Sequence, residues 1–270
     1  MKPIRLAIAG LGAIGLKVAR KVDAGEIDGI VLSSVSARDV AKAESNLAGF
    51  RQRPKIRPIA ELADEADVIV ECVPAAHFLE VAEPALGSGR IFMPLSVGAL
   101  LHYGHLIDLA RETGGRIVVP SGAILGLDAV RAIAEGPVQS VRLITRKPPE
   151  GLAGAPLLQE KGISVDGLKE PLMVYAGSAR EAAKGFPANL NVSVALSLAG
   201  IGPDLTTVEV WADPAVTRNT HTVIVKSEAS DLTMTIENVP SAENPRTGTI
   251  TALSVIAALR RLTSPLVIGT

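Results

Sequence analysis

Residues 4 to 15 read Ile-Arg-Leu-Ala-Ile-Ala-Gly-Leu-Gly-Ala-Ile-Gly, an apolar run that ends in a G-x-G-x-x-G spacing at Gly10, Gly12 and Gly15. Ile14, Val18 and Val22 follow at helical spacing, with Lys17, Arg20 and Lys21 left for solvent, so the segment predicts a strand that turns directly into a helix. Each glycine then has a purpose. Gly10 allows the tight turn, Gly12 lets the main chain approach a phosphate with no Cβ in the way, and Gly15 lets the helix pack closely on the strand. The helix N-terminus adds N–H groups and a partial positive charge. The run Gly10, Gly12, Ala13, Ile14 and Gly15 is therefore a candidate cradle for the pyrophosphate of a dinucleotide.

Further strands and helices alternate behind this turn. Strands are predicted over residues 29–35, 55–57, 67–73, 90–94 and 116–119, and helices over 41–47, 59–66, 75–83 and 100–113. The run at 67–73 is apolar almost throughout, as expected for a parallel strand covered on both faces. This alternation predicts an α/β fold, a Rossmann-type doubly wound parallel sheet, over residues 1–119. After Pro120 the pattern changes to strands rich in Val, Thr and Ile at 138–146, 206–212, 221–226 and 232–237, with short turns between the later ones. They predict a second, α+β domain over 120–247, an antiparallel sheet covered by helices at 125–134 and 189–198. The alanine-rich stretch within 248–270 predicts a helix that packs back on the first domain.

Composition narrows the partners. Charged residues make up 20% of the chain against 47% hydrophobic, with a net charge of -1, so there is no basic footprint for nucleic acid. No stretch approaches the roughly 18 apolar residues of a membrane span. A single cysteine, Cys72, points to a reducing, cytoplasmic location, and no Cys/His cluster has metal-ligand spacing. The expected partner is a small-molecule substrate.

In order along the second half stand Pro-Ser-Gly-Ala at 120–123, Thr-Arg-Lys-Pro-Pro at 145–149, Phe-Pro-Ala-Asn-Leu-Asn at 186–191, Arg-Asn-Thr-His at 218–221 and Asn-Pro-Arg-Thr at 244–247. Together with the glycine turn, this ordered set resembles the L-aspartate dehydrogenase family over nearly the whole chain. The resemblance implies reversible, NAD- or NADP-linked oxidative deamination of L-aspartate to iminosuccinate, which hydrolyses to oxaloacetate and ammonia. It places the family's active-site histidine at His221 and further cofactor contacts at Ala123 and Asn189. An amino-acid dehydrogenase also needs a group that exchanges protons near neutral pH, and histidine suits that task. Of the other three histidines, His77 follows the strand that ends at Val73, while His102 and His105, three apart on one predicted helix, read as helix-face residues.

A dicarboxylate substrate needs cationic or hydrogen-bonding groups, and Lys147, Asn191, Arg218 and Thr247 are the candidates, with Arg146 and Arg246 nearby. The acidic residue expected about 20 positions past the glycine turn, for the ribose 2'-hydroxyl, is replaced by Val-Ser-Ala-Arg at 35–38. Ser36 and Arg38 are thus candidates for a 2'-phosphate, which predicts that NADP is accepted at least as readily as NAD. The site is expected in the cleft between domains, and a leftover face of the second sheet predicts a homodimer. Two other readings share this plan: a reductase of the dihydrodipicolinate reductase or homoserine dehydrogenase kind, and a non-catalytic NAD(P) sensor.

Overall fold

The structure is a computed structural model that describes residues 2–186, 191–241 and 248–270. It divides into two compact units, residues 1–120 with 251–267, and residues 121–250 with 268–270.

The first unit begins with β1 (Ile4–Ala9), α1 (Ala13–Asp23), β2 (Ile30–Ser36), α2 (Val40–Leu47) and β3 (Lys55–Ile56). It continues through α3 (Leu62–Glu65), β4 (Val68–Glu71), α4 (Phe78–Gly87), β5 (Ile91–Pro94), α5 (His105–Thr113) and β6 (Arg116–Ile117). All six strands are parallel in the order β3-β2-β1-β4-β5-β6, the doubly wound arrangement that the alternation predicts. Leu6, Ala7, Ile8 and Ala9 of β1 are fully buried, because helices cover both faces of a parallel sheet. Helix α1 buries Val18, Ala19 and Val22 against that sheet and ends on Arg20 and Lys21, which suit the negative end of its dipole. The helix expected over 100–113 is broken. A 3-10 turn at Val97–Leu101 is followed by a fresh start at His105, since Gly104 weakens helical continuity.

The second unit holds α6 (Leu127–Ile133), β7 (Val138–Lys147), α7 (Pro156–Glu160), β8 (Leu172–Ser178), α8 (Ala179–Gly185), α9 (Asn191–Ala199), β9 (Thr207–Ala212), β10 (Asn219–Ser227) and β11 (Leu232–Asn238). The expectation of an antiparallel sheet needs correction. The sheet is mixed, in the order β11-β10-β7-β9-β8, with β7 and β9 parallel and the other pairs antiparallel. The chain between β7 and β9 carries α7, β8, α8 and α9, long enough for the crossover that a parallel pair requires. Strand β8 and helix α8 were not among the predicted elements.

The chain closes with α10 (Thr249–Thr263), whose Val255, Ile256 and Leu259 share the buried cluster of Leu6, Ile8 and Val18. Truncating Leu259 to alanine removes fully buried methyl groups from that cluster, a change that costs about 2–5 kcal/mol. Among the described residues no helix is long and apolar enough to cross a membrane.

Candidate active site

At the carboxyl edge of the first sheet the three glycines divide as their spacing suggests. Gly10 has φ +98°, and a Cβ there would lie 2.6 Å from the carbonyl oxygen of Cys72. A Cβ on Gly15 would lie 2.0 Å from the carbonyl oxygen of Gly10, so only glycine lets α1 start this close to β1. Gly12, the N-cap, is different: a Cβ on it meets nothing within 4 Å. Its surroundings are open, no side chain caps the helix, and no acidic residue occupies the first turn at Ala13 and Ile14. This combination of a packed turn with an open helix N-terminus fits a dinucleotide pyrophosphate.

The same edge shows why the ribose carboxylate is absent. Asp39 is the N-cap of α2, where its side chain accepts a hydrogen bond from the Lys42 N–H at 3.0 Å. Ser36 is buried at the end of β2, and its carbonyl accepts the Gly10 N–H at 2.8 Å. A hollow of about 590 Å³ beside it is lined by Ser36, Arg53, Arg57 and Glu44 among others. Arg38 is exposed and does not line that hollow. Arg57, whose main-chain N–H donates to the Val35 carbonyl at 2.9 Å, also reaches Glu65, yet its Nε is buried with no hydrogen-bond partner among the described residues. Sequence reasoning missed Arg53 and Arg57, although the cationic run at 51–58 was the available signal.

Glu71 was also missed, as a charge inside an otherwise apolar strand. Its fully buried carboxylate accepts the main-chain N–H groups of Val73, Leu95 and Ser96 at 3.0, 3.1 and 2.9 Å and the Ser96 hydroxyl at 3.1 Å. It therefore ties the loops after β4 and β5 together at the glycine turn's edge. Burial pushes its carboxyl group above the usual range despite these donors.

In the second unit, one face of the mixed sheet changes character along its length. Val141 and Leu143 of β7 and Val223 and Val225 of β10 point to the buried side. Gly200, just beyond α9, marks how tightly helices cover this end, since a Cβ on it would lie 3.4 Å from both Val130 of α6 and Val141. Two residues further along each strand the same face turns polar, with Thr145 and Lys147 on β7 and His221 and Asn219 on β10. A period of two keeps them together.

His221 pairs with Thr145 across the strands, and Thr145 Oγ1 lies 3.1 Å from His221 Nδ1. The ring is 3% exposed and Lys147 is 4% exposed. Burial, joined by the nearby Lys147 charge, pushes the His221 imidazole down to about 3. Burial also lowers the Lys147 ammonium to about 8. Both shifts favour the uncharged form of the group, so burial holds the His221 ring neutral while the site is closed to water. The neighbouring Arg146 points to the opposite face, bonded to Asp213 at 3.0 Å and lying 4.7 Å over the Trp211 ring, so it is committed elsewhere.

Of the remaining candidates, the Ala123 carbonyl accepts a hydrogen bond from Asn238 Nδ2 at 3.1 Å, and Asn238 is buried on β11. Asn191 opens α9, and Arg218 is exposed before β10. Asn189 and Thr247, with Arg246, lie outside the described residues. His77 and His105 sit at the surface, 2.9 and 3.4 Å from Glu80 and Glu83. Among the described residues no group of three or more His, Cys, Asp or Glu could hold a metal ion.

Comparison with known proteins sets these two halves in context. Residues 10–120 match the homoserine dehydrogenase NAD binding domain, and residues 128–262 match the aspartate dehydrogenase C-terminal domain. The L-aspartate dehydrogenase of Bradyrhizobium diazoefficiens is 53% identical over 99% of this chain and 94% of its own length. L-aspartate dehydrogenase 3 of Bordetella bronchiseptica is 54% identical over 98% of this chain and 97% of its own. Among solved structures, aspartate dehydrogenase from Thermotoga maritima superposes with a TM-score of 0.74 at 25% identity, covering 98% of this chain and 99% of that one.

Proposed function

Since the chain belongs to the aspartate dehydrogenase family, we propose that it catalyses the reversible, nicotinamide-linked oxidative deamination of L-aspartate to iminosuccinate, which hydrolyses to oxaloacetate and ammonia. The observation that carries this reading is the polar end of the second sheet, where a hydroxyl-anchored imidazole and a buried lysine share one face. That half of the chain matches the aspartate dehydrogenase C-terminal domain, which favours this substrate over the homoserine dehydrogenase alternative.

When bound, the nicotinamide ring supplies the acceptor for the substrate's α-hydride, or its donor in the reverse direction. Gly10, Gly12, Ala13, Ile14 and Gly15 are the residues proposed to hold the pyrophosphate, and Ala123 and Asn189 to contact the cofactor further along. His221 is the proposed catalytic residue. As a neutral imidazole with Nδ1 fixed by Thr145, it presents Nε2 for a hydrogen bond to the reacting nitrogen, and substrate carboxylates would raise its affinity for a proton. Lys147, Asn191, Arg218 and Thr247 are proposed for the two carboxylates. Ser36 and Arg38, with Arg57 beside Ser36, are proposed for a 2'-phosphate, so that NADP serves at least as well as NAD.

We also propose a homodimer formed through the outer face of the second sheet, which light scattering would test, and a cytoplasmic location in keeping with the lone Cys72. The activity itself is tested by following reduced nicotinamide absorbance with oxaloacetate plus ammonium, and in parallel with homoserine or with cofactor alone. Consumption that needs oxaloacetate and ammonium together supports the proposal. Turnover of homoserine alone, or cofactor binding without any turnover, would replace it by one of the two other readings.

A further inference from the structure

Glu71 closes β4, a strand flanked by β1 and β5, and the three residues before it are the buried Val68, Ile69 and Val70. Apolar residues suit a strand covered on both faces, and a carboxylate there is costly unless hydrogen bonds compensate it. Four do. Oε1 accepts the Val73 N–H at 3.0 Å and the Ser96 hydroxyl at 3.1 Å, while Oε2 accepts the Leu95 and Ser96 N–H groups at 3.1 and 2.9 Å. One buried side chain thereby holds two loops, the one that follows β4 and the one that follows β5. The first of these is also packed on the glycine turn. The Cys72 N–H donates to the Ala9 carbonyl at 2.8 Å, and a Cβ on Gly10 would lie 2.6 Å from the Cys72 carbonyl oxygen and 3.3 Å from Val73 Cγ1. The strand order reverses at this point, with β2 and β3 on one side of β1 and β4, β5 and β6 on the other. A doubly wound sheet binds a dinucleotide across the carboxyl ends of its strands at such a reversal, one mononucleotide to each half. Ser36, at the end of β2, lies on the half proposed above for the adenosine, and the two loops held by Glu71 lie on the other.

We propose that Glu71 is a positioning residue for the nicotinamide half of the cofactor: by holding Val73, Leu95 and Ser96 in one arrangement, it fixes the two loops against which that half rests. The inference rests on the reading of the first unit as a nicotinamide-dinucleotide domain, and it assigns a residue that the glycine spacing does not. The carboxylate is fully buried and already engaged by four donors, so it acts through the loops and not as a ligand. Loops that are fixed before the cofactor arrives need no ordering when it binds, which raises affinity for the part that touches them. A brace for the unit as a whole would act equally on ligands with and without a nicotinamide. A support for that half acts only on ligands that carry one.

The test titrates the full-length protein by calorimetry with NAD and with ADP-ribose, which keeps the adenosine and the pyrophosphate but lacks the nicotinamide. E71Q preserves the shape of the side chain. Because each carboxylate oxygen accepts at least one main-chain N–H, either orientation of the new amide turns its NH2 against a donor, and the loops lose their common anchor. The Kd of E71Q for NAD is expected to rise at least about tenfold, with that for ADP-ribose within about twofold of the wild type. An equal loss for both ligands, or no loss for either, would overturn the proposal. Should E71Q fail to fold, amide hydrogen exchange on the wild type reads the same loops. NAD is expected to slow exchange over 72–76 and 95–98 beyond what ADP-ribose does, and identical protection by the two ligands would overturn the proposal. A wild type that binds neither ligand would instead remove the cofactor reading beneath it.

Discussion

Thr145 Oγ1 lies 3.1 Å from His221 Nδ1, across directly paired positions of β7 and β10 on the buried face of the second sheet. Whichever atom donates, the bond fixes the ring plane and leaves Nε2 as the reactive edge. Replacing Thr145 by valine keeps the shape and removes the bond. Stability is expected to fall by about 1 kcal/mol, whereas kcat for aspartate falls by about 10- to 100-fold because the ring loses its orientation. Thermal melts and steady-state kinetics on T145V check this, and unchanged kcat would reduce the bond to a packing detail.

The buried histidine also sets a pH dependence of stability. Its imidazole is at about 3 in the folded chain against 6.5 when exposed, so below pH 6.5 the unfolded chain binds the extra proton. Unfolding free energy should therefore rise with pH from about 3 to 6.5 and gain nothing more from this group above that range. Lys147 acts in the same sense between about 8 and 10.5, where only the unfolded chain holds the proton. Denaturant titrations across both windows are expected to show positive slopes. H221N should flatten the acidic one by up to a few kcal/mol.

Two of the glycines make a paired test of the nucleotide cradle. G12A adds a methyl group that meets nothing within 4 Å, so it should fold at a cost of about 1 kcal/mol as an N-cap change and yet lose cofactor affinity by at least about tenfold. G15A forces a Cβ to 2.0 Å from the Gly10 carbonyl and should destabilise the whole first unit. Cofactor titration by protein fluorescence and thermal melting separate the two. Equal losses of stability in both variants would contradict the assignment of Gly12 to the phosphates.

For the adenosine end, R57A is expected to lower kcat/KM for NADP by about 10- to 100-fold, the worth of one charge-assisted contact, and to leave NAD within about twofold. R38A should do the same to a smaller degree, since Arg38 is more exposed and lies off the Ser36 hollow. A wild-type preference for NAD by more than tenfold would sink the 2'-phosphate reading.

The first half of the fold was legible because its signals are local. A strand such as β1, covered on both faces, and a helix opened by glycine must look this way whatever surrounds them. The second half depends on pairing between distant segments, which composition does not encode. The β7–β9 pair is parallel because of the long crossover between them, and β8, with Gly177 and Ser178 at its end, carries too weak a pattern to be read as a strand. At the site, Lys147 and Arg146 were equivalent as letters. Strand alternation sends one inward beside His221 and the other outward to Trp211 and Asp213. The burial of His221 was not legible either, because solvent exclusion is a property of the packed sheet and not of the Arg-Asn-Thr-His motif.

The most direct measurement is the initial rate of nicotinamide reduction with L-aspartate, for the wild type and for H221A at equal cofactor occupancy. The account predicts aspartate-dependent reduction by the wild type and a loss of about 10²- to 10⁴-fold in H221A with cofactor binding retained. Aspartate-independent reduction, none at all, or full turnover by H221A would contradict it.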